Sequence, residues 1–240
     1  MVSFPSVSLD RGLHPRAYPL KDPIPKVYED DYFVVFNKPP GLLVIPTPKK
    51  ETNTLVDIVN REYPAADQAY HLHPCHRLDR ETSGVILFAK GKHAQKAMMD
   101  LFKLRKIKKK YVAFVQGKIQ QKGGELKSFI EGFDQKKFRK REPKKLALTR
   151  FRVREVHENF SIVEAEPVTG RTNQIRIQFS GIHHPLVGER KYALGKDALV
   201  KFKRAALHAY SLEWEHPFTH TMVNVTANLP NDMEAFLERS

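Results

Sequence analysis

The chain of 240 residues has little of what several large protein classes require. Its single cysteine, Cys75, can close no intramolecular disulfide, so nothing points to a disulfide-stapled secreted scaffold. The longest apolar runs, such as residues 84–89, are far shorter than the roughly 18 to 20 residues that a membrane-spanning helix needs. The N-terminal segment has no continuous apolar stretch of the kind found in secretory signals. We therefore expect a cytoplasmic protein with no membrane partner.

The motifs of several common enzyme classes are missing as well. The sequence contains no GxxxxGK[ST] phosphate-binding loop, no GxGxxG, no HExxH and no GxSxG, so enzymes using nucleotides, nicotinamide cofactors or a serine nucleophile are not expected. His71, His73 and His76 lie close to Cys75, but Pro74 interrupts this cluster. A metal site needs three or four ligands in a defined geometry. We expect neither a metal nor a cofactor.

Positive charge is in excess, and it lies in two places. Lys and Arg number 41 against 27 Asp and Glu, which gives a formal net charge of +14. Residues 103–110 carry six cations and no anion, and residues 136–154 carry ten cations and one anion. One interpretation is that each run is simply a solvated face. Two dense basic runs in one chain favour a polyanionic partner instead, namely a nucleic acid.

The remaining pattern predicts one domain. Residues 1–28 are rich in proline and have no hydrophobic period, so we expect an extended lead-in before a domain at residues 29–240. Strands are predicted at residues 32–36, 42–45, 84–89, 111–115, 126–130, 146–156, 160–165, 206–214 and 222–227. Strands outnumber helices. This predicts an α+β fold with a mixed, largely antiparallel central sheet and flanking helices.

Three helices are predicted from apolar spacing. In the clearest one, apolar residues recur at i, i+3, i+4, i+7 and i+8 over residues 94–102. Two shorter helices are expected at residues 55–59, capped by Thr52 or Thr54, and at residues 233–237, capped by Asn231 or Asp232.

Two polar segments stand beside predicted strands. His76-Arg-Leu-Asp-Arg-Glu-Thr-Ser-Gly84 precedes a buried strand, and Gly170-Arg-Thr-Asn-Gln-Ile-Arg176 follows another. Loops at strand ends often carry functional groups. Each segment also has a purely structural interpretation: a turn in which Asp79 pairs with a neighbouring arginine, and a helix start capped by Thr172 or Asn173. From the residues alone, both interpretations stay open.

The first segment, together with Val-Ile-Leu-Phe-Ala-Lys90 after it, resembles the catalytic motif of the RluA-type pseudouridine synthases. Further segments resemble other motifs of that family, in the family's order, at residues 34–41, 110–117, 170–176, 181–188 and 207–217. The resemblance extends over about residues 30–230. It implies a catalytic domain with no separate N-terminal RNA-binding module of the kind that some members carry. It implies the pseudouridine synthase fold, with a central active-site cleft.

The resemblance also implies an activity and its residues. It implies an isomerase that converts specific uridines of structured RNA, ribosomal or transfer RNA, to pseudouridine without a cofactor. Asp79 would be the catalytic aspartate, Tyr111 would stack on the target base, and Arg176 would pair with Asp79. Arg77 resembles the arginine that helps to displace the target nucleotide. The other predicted substrate-binding residues are Arg80, Arg171, Lys137, Arg139, Lys140 and Arg141.

This chemistry suits the residues. The N1–C1′ bond breaks, the uracil turns and C5 joins C1′, so atoms and electrons balance within the substrate. The reaction needs an ionised carboxylate, and a nearby Arg176 would lower the pKa of Asp79. The base must leave its stack, and the ring of Tyr111 can replace part of the lost stacking. Attack at C1′, attack at C6 and removal of a sugar proton stay open as roles for Asp79.

The sequence departs from the family pattern at Asn173, Gln178 and Ile45, where the family usually has histidine. We expect these departures to affect substrate contacts more than activity. No protein partner is implied, and a monomer is expected. Two alternatives stay open: a non-catalytic RNA-binding or assembly protein that keeps the fold, and a metal-dependent nuclease built on the histidine cluster.

Overall fold

The computed structural model describes residues 23–48, 51–62, 71–131, 143–197 and 199–239. Most of the predicted lead-in lies outside these residues, and the first strand begins at Lys26, shortly before the predicted domain boundary at residue 29. The basic residues Lys137, Arg139, Lys140 and Arg141 also lie outside the described residues. Their predicted role in RNA binding therefore stays a prediction.

Ten strands and four helices follow one another along the described chain. The strands are β1 (Lys26–Glu29), β2 (Phe33–Lys38), β3 (Leu72–Pro74), β4 (Ser83–Lys90), β5 (Lys108–Gln116), β6 (Gly123–Glu131), β7 (Lys144–Val156), β8 (Phe160–Pro167), β9 (Leu207–Glu215) and β10 (Met222–Thr226). The helices are α1 (Leu55–Glu62), α2 (Lys92–Lys103), α3 (Gln174–Gly181) and α4 (Asn231–Leu237). Within the described residues, no helix is long and apolar enough to cross a membrane.

All strands belong to one mixed sheet, in the order β1-β2-β4-β9-β5-β8-β7-β6, with β3 paired to β4 and β10 paired to β9. Strand β4 pairs with β9 in parallel, through Ser83 with His208 and Gly84 with Ala209, and the other strand pairs are antiparallel. The predicted α+β class with a largely antiparallel sheet is confirmed.

The most apolar segment of the sequence forms the centre of one half of the sheet. Every residue of β4 except Lys90 is buried, as the continuous apolar run predicted. Helix α2 packs against β4 through Ala94 and Met98, in the predicted apolar stripe. Helix α1 buries Leu55, Ile58 and Val59 in the same core. Local hydrophobic spacing therefore decides this half of the fold.

One predicted strand, at residues 42–45, is wrong. After the turn at Gly41 this segment runs as a loop. The carbonyl oxygens of Leu43 and Val44 accept hydrogen bonds from the N–H groups of Leu55 and Val56, at 2.7 and 3.0 Å. The segment therefore accepts hydrogen bonds from the first N–H groups of α1, because these groups have no hydrogen-bond acceptor within the helix.

Gly84 lies where the two halves of the sheet meet. Its φ is +112°, and a Cβ atom there would lie 2.1 Å from the carbonyl oxygen of Ala209. Only glycine allows β4 and β9 to approach this closely. The close approach matters for the site, because the polar loop that precedes Gly84 then meets the strands of the second half.

Candidate active site

Segments far apart in the sequence line one cavity of about 550 Å³. Its walls are the loop before β4, the chain from the end of α2 to the start of β5, and the loop before α3. Asp79, Tyr111 and Arg176 all line it, and so do Arg77 and Arg171. Three of the segments that the sequence singled out therefore meet at one place.

The loop that carries Asp79 is held from three sides. Nε2 of His76 accepts a hydrogen bond from the backbone N–H of Leu87 in β4, at 3.0 Å. Nζ of Lys38 donates to the carbonyl oxygen of Arg80 at 3.2 Å, and Nη1 of Arg204 donates to that of Glu81 at 3.0 Å. These bonds fix the backbone on both sides of Asp79.

Lys38 is fully buried at the end of β2, and sequence reasoning missed it. Its ammonium group donates to three carbonyl oxygens, those of Pro39, Leu42 and Arg80, so each N–H has an acceptor. Burial lowers the pKa of Lys38 to about 7, while the charge of Asp79 acts in the opposite direction. Its position in the Asn-Lys-Pro-Pro-Gly turn was the only signal in the sequence.

Arg204, also missed, joins the loop to the C-terminal helix. Its guanidinium forms a double ion pair with Asp232 in α4, at 2.8 and 2.9 Å, and is itself buried. The same group donates to the carbonyl oxygens of Ala205 and Leu207 as well as to that of Glu81. Helix α4 therefore supports the loop of Asp79 through one side chain.

Asp79 is partly buried in the cavity wall, and burial raises the pKa of its carboxyl group. Arg176, Arg77 and Lys38 act against this rise, in that order of effect, and Glu189 adds to it. The sequence predicted that Arg176 lowers the pKa of Asp79. Its effect has that direction, but burial outweighs it, and the net pKa lies above the usual aspartate value.

Arg176 bonds to Glu189 in this structure, where the sequence predicted a pair with Asp79. The two carboxylate oxygens of Glu189 accept from Nε and Nη2 of Arg176, at 2.7 and 2.9 Å. The Glu189 side chain is fully buried and also accepts from the backbone N–H groups of Lys191 and Tyr192. Among the described residues Asp79 forms no ion pair, so Arg176 acts on it through its charge alone.

Asn173, one of the departures from the family pattern, belongs to this network. Its Oδ1 accepts from Nη1 of Arg176 at 3.1 Å, and its Nδ2 donates to the hydroxyl of Tyr192 at 2.9 Å. The guanidinium of Arg176 lies 5.4 Å from the centre of the Tyr192 ring. Asn173 stands at the N-cap position of α3 without a capping hydrogen bond from its side chain, so its amide is used to hold Arg176.

Tyr111 enters the cavity from an irregular point of β5. The pairing of β5 with β9 shifts register between Lys110 and Tyr111, and such a bulge redirects the side chain that follows it. Burial raises the pKa of the Tyr111 hydroxyl, and the charge of Asp79 raises it further. The phenol is therefore neutral at physiological pH and presents an aromatic ring beside the carboxylate.

The other residues that the sequence singled out differ in whether they line the cavity. Arg171 lines it and donates from Nε to the carbonyl oxygen of Leu146 at 3.1 Å. The Arg80 side chain does not line it and lies 3.5 Å from Glu51. Gln178 is buried between α3 and the strands β6 and β7. Ile45 packs against the hydrophobic core that β2, β4, α1 and α2 form.

The histidine cluster does not assemble a metal site in the described part of the chain, where no group of three or more His, Cys, Asp or Glu side chains has a suitable arrangement. Nε2 of His76 already accepts a backbone hydrogen bond, and burial lowers the pKa of its ring to about 3. Burial raises the pKa of the Cys75 thiol to about 12, so this thiol is not poised as a ligand or a nucleophile.

Comparisons with known proteins agree with this geometry. The sequence profile of the family described as RNA pseudouridylate synthase matches residues 32–181. The Ribosomal large subunit pseudouridine synthase D of Xylella fastidiosa is 35% identical over 230 residues, covering 90% of this chain and 69% of that protein. The Dual-specificity RNA pseudouridine synthase RluA of Vibrio cholerae is 34% identical over 219 residues, covering 84% of this chain and 82% of that protein.

A solved structure extends the similarity to the fold. The Human RNA Pseudouridylate Synthase Domain Containing 4 superposes with a TM-score of 0.74 at 26% identity, covering 90% of this chain and 92% of the other. The profile match, the curated relatives and the shared fold all concern the part of the chain that forms the cavity. The chain therefore belongs to the RNA pseudouridylate synthase family and is an RNA pseudouridine synthase.

Proposed function

We propose that this enzyme converts specific uridines of structured ribosomal RNA to pseudouridine, with Asp79 as the catalytic aspartate. One observation carries the proposal: Asp79 is the only carboxylate among the described residues that line the cavity, and it shares that cavity with Tyr111 and Arg176. Several curated relatives, including those of Xylella fastidiosa and Xanthomonas campestris, are named for the ribosomal large subunit, which favours ribosomal RNA as the substrate.

The carboxylate acts on the sugar or the base in its ionised form. Arg176, Arg77 and Lys38 favour that form, whereas burial removes the water that would otherwise solvate it. In the overall reaction the N1–C1′ bond breaks, the uracil turns, and a C5–C1′ bond forms. The C5 proton leaves to solvent and N1 gains a proton, so Asp79 is regenerated.

Tyr111 provides the flipped uracil with a replacement for its lost neighbours. A base leaves its stack before an enzyme can reach its sugar bond, and stacking on an aromatic ring is worth roughly 1 to 3 kcal/mol. The neutral phenol of Tyr111 lies beside Asp79 without adding a charge. We assign stacking on the base to the Tyr111 ring, and to Arg176 the placement of a positive charge that favours the ionised form of Asp79.

The oligomeric state, the location and a second candidate substrate are proposed from the same observations. The described residues of one chain supply Asp79, Tyr111 and Arg176 together, which supports a monomer. Relatives named for the ribosomal large subunit support a cytoplasmic location. Transfer RNA is the second candidate substrate, because the motif resemblance implies ribosomal or transfer RNA and the Vibrio cholerae relative is described as a dual-specificity enzyme.

The experiment measures tritium release from RNA labelled at C5 of uridine. Unmodified transcripts of large-subunit ribosomal RNA and of transfer RNAs are tested in parallel with wild type and Asp79→Asn. We expect release by wild type from ribosomal RNA, and none by Asp79→Asn, whose RNA affinity stays close to that of wild type because the amide has the same shape.

Four results would contradict the proposal. Release by Asp79→Asn at the wild-type rate would remove Asp79 from the chemistry. Release from transfer RNA alone would overturn the substrate. Salt-sensitive RNA binding by wild type without any release from either RNA would support the non-catalytic RNA-binding alternative, and RNA cleavage abolished by a chelator would support the nuclease.

A further inference from the structure

The first basic run, residues 103–110, is divided between two surfaces. Lys103, Arg105 and Lys109 line the cavity. The other cations of the run face elsewhere: Lys108 forms an ion pair with Glu213 at 2.7 Å, and Lys110 forms one with Glu164 at 3.3 Å. Part of the run is therefore balanced by acidic side chains of the sheet, and part of it faces the active site.

Five of the six cations that line the cavity have no acidic partner among the described residues. Six cationic side chains line it, and the single acidic one is Asp79; the cations are Arg77, Lys103, Arg105, Lys109, Arg171 and Arg176. Arg176 is paired with Glu189. Within the described chain, no acidic side chain pairs with Lys103, Arg105 or Lys109. A row of unpaired cations at the mouth of a cavity attracts an anion from outside the protein.

Arg105 occupies a backbone position that favours glycine. Helix α2 ends at Lys103, and the N–H groups of Arg105 and Lys106 donate to the carbonyl oxygens of Phe102 and Leu101, at 3.1 and 3.0 Å. This is the Schellman pattern, whose left-handed residue is usually glycine. Arg105 takes that conformation with φ +58°. Helix termination alone therefore does not require an arginine at this position.

The opposite wall of the cavity approaches the same cations. A Cβ atom at Gly170 would lie 3.8 Å from Nζ of Lys109. The next residue, Arg171, also lines the cavity. Lys109 is partly buried, and burial lowers the pKa of its ammonium group. Cations from two segments distant in sequence therefore line the cavity that also contains Asp79.

We propose that Lys103, Arg105 and Lys109 bind the phosphates next to the target uridine, so that the RNA strand crosses the mouth between this segment and Arg171. The inference rests on the proposed function and adds a path for the RNA. Phosphodiester groups repeat along a strand, so a row of cations can bind several of them while one base enters the cavity.

The test uses Arg105→Gly and Arg105→Asn in the full chain, because both residues tolerate the left-handed conformation and both remove the charge. Binding of large-subunit ribosomal RNA transcripts is measured by filter retention at several salt concentrations, together with Tm. We expect roughly fivefold weaker binding near physiological salt and a log–log salt slope smaller by about 0.7 to 0.9. We also expect a Tm that is unchanged or higher.

The matched control is Lys106→Gln, because Lys106 belongs to the same run, is exposed and does not line the cavity. It should bind RNA with nearly the affinity of wild type. An Arg105→Gly protein with wild-type affinity and salt slope would overturn the inference, as would a lower Tm with an unchanged slope, which indicates a structural role. Tritium release by wild type would leave the proposed function standing in either case.

Discussion

Replacing Glu189 by glutamine tests the network that holds Arg176. The buried carboxylate accepts two hydrogen bonds from the guanidinium and two more from backbone N–H groups. Removing one partner of a buried ion pair destabilises by roughly 3 to 5 kcal/mol, but the amide oxygen of glutamine still accepts and Asn173 still binds Arg176, so we expect about 3 kcal/mol. For a chain of this size that loss lowers Tm by roughly 6 to 12 °C.

The difference in stability between wild type and Glu189→Gln depends on pH in a defined direction. Ion pairing with Arg176 lowers the pKa of Glu189, so its contribution is fully present above the pKa of an unfolded glutamate, about 4.3. The contribution decreases as the pH falls through the lower pKa of Glu189 in the fold. The gap in Tm between wild type and Glu189→Gln should therefore be large at pH 7 and small in acid.

The same substitution should move the pH dependence of catalysis. The negative charge of Glu189 raises the pKa of Asp79, so its removal lowers that pKa. Because the ionised carboxylate is the active form, kcat/KM falls as the pH drops through this pKa, and the acid limb of Glu189→Gln should lie at lower pH than that of wild type. A less firmly held Arg176 should also reduce kcat, by up to about a hundredfold.

The assay is tritium release as a function of pH, with Tm measured by circular dichroism on the same samples. Arg77→Gln is the control of opposite sign, since loss of that cation raises the pKa of Asp79 and moves the acid limb to higher pH. An acid limb that stays in place or moves upward in Glu189→Gln would refute the electrostatic reasoning. A Tm equal to that of wild type at pH 7 would refute the stability argument.

Two further substitutions test the packing around the site. Gly84→Ala places a methyl group 2.1 Å from the carbonyl oxygen of Ala209, so we expect a loss of roughly 3 to 5 kcal/mol or no folded protein, as measured by expression and urea unfolding. Gln178→His restores the usual family residue. Gln178 bonds to Thr149, Ser128 and two carbonyl oxygens, more partners than an imidazole can serve, so unfolding in urea should show a loss of roughly 2 to 3 kcal/mol.

Elements decided by local hydrophobicity were predictable from the sequence. The apolar run at residues 84–89 indicated burial on both faces, and β4 is buried on both faces. The spacing over residues 94–102 indicated a helix with one apolar face, and α2 has it. In both segments the pattern that determines the structure lies within a few residues, so no knowledge of distant partners was needed.

The segment at residues 42–45 shows where hydrophobicity fails. Val44 is buried in the hydrophobic core that β2, β4, α1 and α2 form, and Ile45 packs against that core. Hydrophobicity does not specify the backbone conformation of so short a run. Here the carbonyl oxygens of Leu43 and Val44 accept hydrogen bonds from the first N–H groups of α1. The choice between loop and strand depended on a helix that follows later in the chain.

The supporting charges of the site were not predictable, because their partners are distant in sequence. Lys38 bonds to the carbonyl oxygen of Arg80, 42 residues away, and Arg204 bonds to that of Glu81, 123 residues away. Glu189 carries no sequence signal that links it to Arg176. The net pKa of Asp79 depends on its burial, which exists only once the loop is packed. The sequence therefore indicated that Arg176 lowers this pKa, but not that burial raises it further than the cations lower it.

The parallel contact between β4 and β9 has a consequence for how the enzyme is made. Ser83 and His208, whose side chains meet at 3.0 Å, are 125 residues apart, so the loop of Asp79 is completed by a contact that closes more than half of the chain. Closing so long a loop is slow and unfavourable until other structure has formed. We therefore expect the cavity to be among the last parts to form during folding. A chain still under synthesis would carry its basic segments before it carried a working site, and could bind RNA before it could modify it.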